Sequence, residues 1–153
     1  MTDRHIAGLD GILELVVLLG DDQARSLARD GLTVSRARVL WEQRQRGPTI
    51  QRDLADALRV SARTITGLVD GLVATGFLTR QPHPTDRRAS LITVTARGAS
   101  TVEAMERDQR ELAHLLFAGM PGERFDCFVA GLGDILTRLR DHGRAPERRP
   151  DTR

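Results

Sequence analysis

The stretch from Ser61 to Thr95 leaves this chain few ways to fold. Ser61 is a strong helix N-cap, and behind it Ile65, Leu68, Val69 and Leu72 fall at i, i+3, i+4 and i+7, the spacing of one buried helical stripe. Gly76 closes that helix. Phe77-Leu-Thr-Arg-Gln and Ser90-Leu-Ile-Thr-Val-Thr are rich in β-branched and apolar residues and read as two strands, joined by a turn-rich, charged segment. Thr95 then caps another helix. A helix, a strand, an arginine-tipped loop and a returning strand make a helix with a β-wing behind it.

The rest of the chain reads as helices around that unit. Ile6, Leu9, Ile12, Leu13, Val16 and Val17 recur with a helical period within residues 5–29. The run Ile12-Leu-Glu-Leu-Val-Val-Leu-Leu is apolar nearly all round, so it must be covered on more than one side, by its own core or by a second chain. After Gly31, Ser35 is placed to cap a helix through Arg46 with Val39, Leu40 and Trp41 facing inward, and Gly47-Pro48 ends it. Thr49 is expected to cap a short helix, Ile50–Leu58, and the turn Arg59-Val60 leads into the helix opened by Ser61. Two short helices with a small residue at Ala55 and a short link make a helix-turn-helix. Beyond the wing, the helix after Thr95 is expected over Ala96–Phe117, with Val102, Met105, Gln109, Leu112 and Leu116 on one seam. Gly119-Met-Pro-Gly breaks the chain, and a last helix over Glu123–Asp141 repeats the rhythm with Phe125, Phe128, Leu132, Ile135 and Leu139. Residues 143–153 hold no apolar residue larger than Ala or Pro and are expected to stay disordered. The fold class is therefore mainly α with a small β-wing: a winged helix-turn-helix domain plus flanking helices.

Charge separates these parts. All 23 basic residues are arginine, so any phosphate or base contact must come from Arg, Ser, Thr, Gln, His or backbone N–H groups. Residues 1–32 carry a net −3 (3 Arg, 6 acids), residues 33–97 a net +6 (11 Arg, 5 acids) and residues 98–153 a net −1 (9 Arg, 10 acids). Positive charge concentrated on a helix-turn-helix and wing is the footprint of a nucleic-acid partner. With one Trp, four Phe and no Tyr, stacking platforms for single strands are poorly supplied, which favours duplex DNA.

Other chemistries find little support. No apolar run reaches the roughly 20 residues that cross a bilayer, and the first residues do not form a secretory signal, so a cytoplasmic protein is expected. The single cysteine, Cys127, allows no internal disulfide; placed between Phe125 and Phe128 it is expected to be buried and inert. His5, His83, His114 and His142 lack ligand spacing, so no metal or other cofactor is expected. No nucleophile-and-base arrangement, phosphate-cradling glycine loop or carboxylate pair stands out, and the chain is not expected to be an enzyme.

At these residues the chain resembles the MarR family of bacterial winged-helix regulators. The likeness lies in Ile50-Gln-Arg-Asp-Leu-Ala-Asp-Ala-Leu-Arg-Val-Ser, in Thr64-Ile-Thr-Gly-Leu-Val-Asp-Gly-Leu, in Gly76-Phe-Leu-Thr-Arg, and in Asp86-Arg87-Arg88 followed by Leu91-Ile-Thr-Val-Thr and Arg97-Gly98. It covers residues 33–98 in motif detail and the flanking helices in pattern only. The resemblance implies a homodimer whose terminal helices intertwine as a helical dimerisation region and whose two winged domains read a pseudo-palindromic operator. It also implies a small-molecule effector lodged between the dimer helices and a winged domain; Trp41 and the faces of the first and fifth helices are candidate walls for it, and equally ordinary core.

Site residues follow from both readings. Ser61 and the first turn of its helix offer hydroxyl and backbone donors to a phosphate. Arg63, Thr64, Thr66 and Gly67 are placed to enter the major groove, and among them Arg63 alone can bond a guanine edge in bidentate fashion. The resemblance carries a minor-groove role onto Arg88, with Arg87 on phosphate. Asp70 and Asp86, negative beside DNA, are expected to orient arginines. The expected division is 1–32 for a dimerisation helix, 33–98 for the DNA-binding domain, 99–142 for C-terminal dimerisation helices and 143–153 for the tail. The competing reading is a protein-interaction module whose arginines are merely solvated and which has no operator preference.

Overall fold

The computed structural model describes residues 2–86 and 89–144. Among them the order is α1 (Thr2–Arg29), α2 (Val34–Arg46), β1 (Thr49–Ile50), α3 (Gln51–Leu58), α4 (Ala62–Ala74), β2 (Leu78–Pro82), β3 (Ser90–Val94), α5 (Ala96–Phe117) and α6 (Gly122–Arg144). The chain forms two compact units, Met1–Arg107 and Asp108–Arg153. Arg87, Arg88 and most of the expected tail, residues 145–153, lie outside the described residues.

In the first unit α2, α3, α4 and the sheet close on one core. Leu40, Leu54, Ile65, Val69, Leu72, Phe77 and Ile92 are all buried, each worth about 1.5–3 kcal/mol relative to exposure. Trp41 is half-buried and packs against this cluster. The sheet is antiparallel in the order β1-β3-β2, with Arg80 opposite Ile92 and Leu78 opposite Val94.

Two helix starts differ from the sequence reading. The cap of α2 is Thr33, whose Oγ1 accepts the Arg36 N–H at 3.3 Å; Ser35 lies inside the first turn. Thr49 caps nothing, because Thr49 and Ile50 are β-branched residues drawn into a short strand against Ile92 and Leu91. Consequently α3 begins at Gln51, behind Ile50, which offers no capping side chain. Gln43, the buried polar residue of the core, ties α2 to this corner: its Nε2 donates to Ile92 O at 2.8 Å and to Gly47 O at 3.0 Å.

Helix ends use one device three times. After α1, Gly31 is left-handed (φ 71°), Gly31 N–H reaches Ala28 O and Leu32 N–H reaches Leu27 O, with both leucines buried. After α4, Gly76 (φ 77°) repeats this, with Phe77 N–H on Leu72 O at 2.9 Å. After α3 the left-handed residue is Arg59 (φ 54°), an arginine where glycine would be unstrained.

Thr95 caps α5 as expected, and more closely than sequence foretells. Its Oγ1 accepts Gly98 N–H at 3.0 Å and donates to Gly76 O at 2.7 Å, so the start of α5 is fastened to the end of α4. Gly98 presses so tightly on the Phe77 carbonyl that a Cβ there would collide with it. Arg97 completes the clamp, its guanidinium 4.4 Å from the Phe77 ring centroid and its Nη1 donating to Thr75 O at 2.8 Å.

Among the described residues the apolar faces of α1 and α6 stay largely exposed, whereas the α5 seam starts in the core, with Val102 buried and Met105 packed against the cluster. In α1, Leu27 is buried while Ile6, Leu9, Leu13, Val16 and Val17 are exposed. In the second unit Phe117 packs edge-on against Phe125 at 5.3 Å and touches Phe128, yet Phe125, Phe128, Leu132, Ile135 and Leu139 all stay exposed. Cys127 is exposed as well, which corrects the expected burial. Residues 122–142 of α6 are all exposed, Phe125 and Phe128 included, so neighbouring aromatic residues give the thiol no cover. The last helix runs to Arg144.

Candidate nucleic-acid interface

The Ser61 cap sets the direction of α4. Its Oγ accepts Thr64 N–H at 3.1 Å and lies 2.8 Å from the Thr64 hydroxyl. The N–H groups of Ala62 and Arg63, which a helix leaves without internal acceptors, stay available to an anion at the positive end of the helix dipole. Ser61, Arg63 and Thr64 are all exposed, and no ion pair among the described residues holds Arg63.

Gly67 is exposed beside them, and a Cβ at this position would meet nothing within 4 Å. Nothing inside the described protein requires glycine there, although it costs about 1 kcal/mol against Ala in a helix interior. Thr66 is exposed, but its hydroxyl is already engaged: Oγ1 donates to Ala62 O at 2.7 Å and accepts from Gln51 Nε2 at 2.7 Å. What Thr66 presents outward is chiefly its methyl group.

Asp70 has the arginine partner expected for it. Its Oδ1 is 2.5 Å from Arg80 Nη2 on β2, and the same nitrogen lies 3.4 Å from Gln51 Oε1. Gln51, Thr66, Asp70 and Arg80 thus form one polar chain linking α3, α4 and the wing. Arg80 sits in a strand run and Gln51 is far from both partners in sequence, so neither advertised itself as a site residue.

The loop between β2 and β3 is organised by His83, which the sequence offered only as a metal ligand without ligand spacing. Its Nδ1 accepts the backbone N–H of Thr85 at 3.3 Å and of Asp86 at 3.1 Å, while Ala89 N–H returns to Asp86 O at 3.1 Å. A side-chain acceptor two and three residues before the donors is the pattern Asx turns use, with an imidazole in the carboxamide's place. These bonds bracket the chain on both sides of Arg87 and Arg88, which are themselves outside the described residues. Among the described residues no group of three or more His, Cys, Asp or Glu side chains is positioned to hold a metal ion.

Comparison with known proteins bears on this arrangement. The sequence pattern of the MarR family matches residues 32–90. The HTH-type transcriptional repressor YetL of Bacillus subtilis (strain 168) is 34% identical over 87 residues, which are 57% of this chain and 52% of YetL. The HTH-type transcriptional regulator YpoP of the same organism is 31% identical over 119 residues, 75% of each protein. This chain spans about half the length of the first curated relatives it matches, 52% in both leading cases. Among solved structures, FabT of Streptococcus pneumoniae, crystallised in complex with DNA, superposes with a TM-score of 0.76 over 92% of this chain and 99% of its own. At 18% identity that likeness speaks for the fold alone.

Proposed function

This chain belongs to the MarR family, and from that membership we propose that it is a homodimeric transcriptional regulator that binds double-stranded DNA at a pseudo-palindromic operator. The observation that carries the reading is the exposed N-terminal half of α4. Its first turn leaves the Ala62 and Arg63 N–H groups without internal acceptors, Arg63 has no ion-pair partner among the described residues, and Gly67 is a glycine no described intramolecular contact requires. The kinship with a curated repressor and the fold shared with a protein solved on DNA support it.

In this reading α4 enters the major groove. Ser61 and the first-turn N–H groups hold a phosphate, Arg63 addresses a guanine edge, and Thr64, the Thr66 methyl and Gly67 meet the groove floor. Arg88 takes the minor groove and Arg87 a phosphate, with Asp70 and Asp86 orienting arginines. Residues 33–98 are the reader, while 1–32 and 99–142 supply the dimer. The exposed apolar faces of α1 and α6 support that assignment, because uncovered stripes of this size mark association surfaces. Two reading helices must then stand about 34–36 Å apart to enter successive major grooves. The protein acts as a repressor, and a small-molecule effector that favours another spacing releases the operator, a coupling worth about 1–3 kcal/mol.

Selection of random duplex DNA by the purified protein tests the reading. A half-site repeated at one helical turn is expected, with log affinity against log salt falling with a slope near −5 if about six phosphates are met. Enrichment of no motif, or a flat salt response, would defeat it. Arg88→Ala should weaken binding while sedimentation still reports two chains. A mass of one chain at micromolar concentration would remove the dimer.

A further inference from the structure

Arg36, in the first turn of α2, lays its guanidinium where a side chain on Gly71 of α4 would be: Cζ is 2.7 Å and Nε 2.8 Å from an ideal Cβ on that glycine. The residue is half-buried, and no ion pair among the described residues engages it. Its setting adds to the positive charge, because the first turn of α2 contains no acidic residue and the dipole is positive at that end. A cation so placed is costly for α2 by itself, and a glycine in α4 costs a further increment. The two unfavourable choices meet at one contact.

That contact stands at the edge of the proposed DNA-facing surface. Counting about 100° per residue, the outward line of α4 runs through Arg63, Gly67 and Ala74, with Asp70 on one side of it and Gly71 on the other. Asp70 brings Arg80 to its flank and Gly71 brings Arg36 to the opposite one. An α-helix with side chains is about 10–12 Å across and the major groove about 12 Å wide, so a helix that enters it turns both flanks toward phosphate walls. Arg80 meets its wall already paired with Asp70, whereas Arg36 comes to the other without a described carboxylate.

We propose that Arg36, seated on Gly71, is a phosphate contact of this protein on the α2 side of the groove, outside the helix-turn-helix and wing. The proposal rests on the DNA-binding reading above. As a phosphate contact it adds grip and fixes how deeply α4 sits, and it carries no base preference.

Arg36→Gln removes the charge and leaves a shorter polar side chain, and Arg36→Lys keeps a charge on a long stem without the planar fork. Affinity is measured across a salt series for a duplex enriched by the wild-type protein and for a scrambled duplex of equal length. Arg36→Gln should weaken both duplexes by a similar factor of about ten and reduce the steepness of the salt slope by about 0.9, and Arg36→Lys should recover the slope. Wild-type slope in Arg36→Gln overturns the proposal, as does equal weakening in both variants with the slope unchanged, which would mark a packing role. A wild-type protein that binds neither duplex with a salt dependence is a different outcome: it overturns the DNA-binding reading itself, and this proposal with it.

Discussion

Asp70 on α4 and Arg80 on β2 are joined by an ion pair of 2.5 Å between Oδ1 and Nη2, and this pair couples the helix to the wing. Both side chains are substantially exposed, 57% and 36%, so the pair adds little to stability, about 0–1 kcal/mol. Its consequence lies in geometry and local charge. Asp70→Asn should leave unfolding almost unchanged while freeing Arg80 and removing a negative charge near DNA. Affinity for scrambled duplex should then rise and the ratio of selected to scrambled binding should fall. Equal loss on both duplexes in a binding assay would refute a positioning role for Asp70.

Gly98 is held against the Phe77 carbonyl by the Thr95 and Arg97 contacts on either side. The neighbour is backbone and cannot step aside. Gly98→Ala should therefore cost about 1–3 kcal/mol in urea unfolding, in the range of overpacked core sites. A loss below about 0.5 kcal/mol would mean that the α5 corner yields more easily than its contacts imply.

Arg59 is the non-glycine residue with positive φ among the described residues. Relief of that strain, partly offset by the greater chain entropy of glycine, should make Arg59→Gly more stable by about 0.5–1 kcal/mol. Chemical denaturation reads this directly. A lower midpoint would show that the Arg59 side chain contributes packing that outweighs the strain.

His83 holds the wing loop by accepting two backbone N–H groups at Nδ1. His83→Ala removes the acceptor and should loosen the loop around Arg87 and Arg88, weakening DNA binding several-fold without changing sedimentation. His83→Asn offers a carbonyl acceptor in similar geometry and should bind close to wild type. Identical affinities for Ala and wild type would rule out a role for this cap in presenting the wing.

What the sequence determined by itself was whatever short-range chemistry settles. The Ser61 and Thr95 caps, the Ile65-Val69-Leu72 stripe, the glycine stops at Gly31 and Gly76 and both wing strands follow from interactions within a few residues. The family kinship was legible for the same reason, since its motifs are local. Tertiary structure alone decided the rest. Thr49 and Ile50 became a strand because a distant partner, β3, offered an unpaired edge, and that gain outweighed a helix cap. Cys127 is exposed because no described element covers α6, whose aromatic residues Phe125 and Phe128 are exposed with it. Gln51 reached Thr66, Arg80 reached Asp70 and Arg36 reached Gly71 only after three helices and a wing had packed on one core. Capping and periodicity are energies of neighbours along the chain, whereas a long polar side chain takes its partner from whichever element packing brings within about 3 Å of its end.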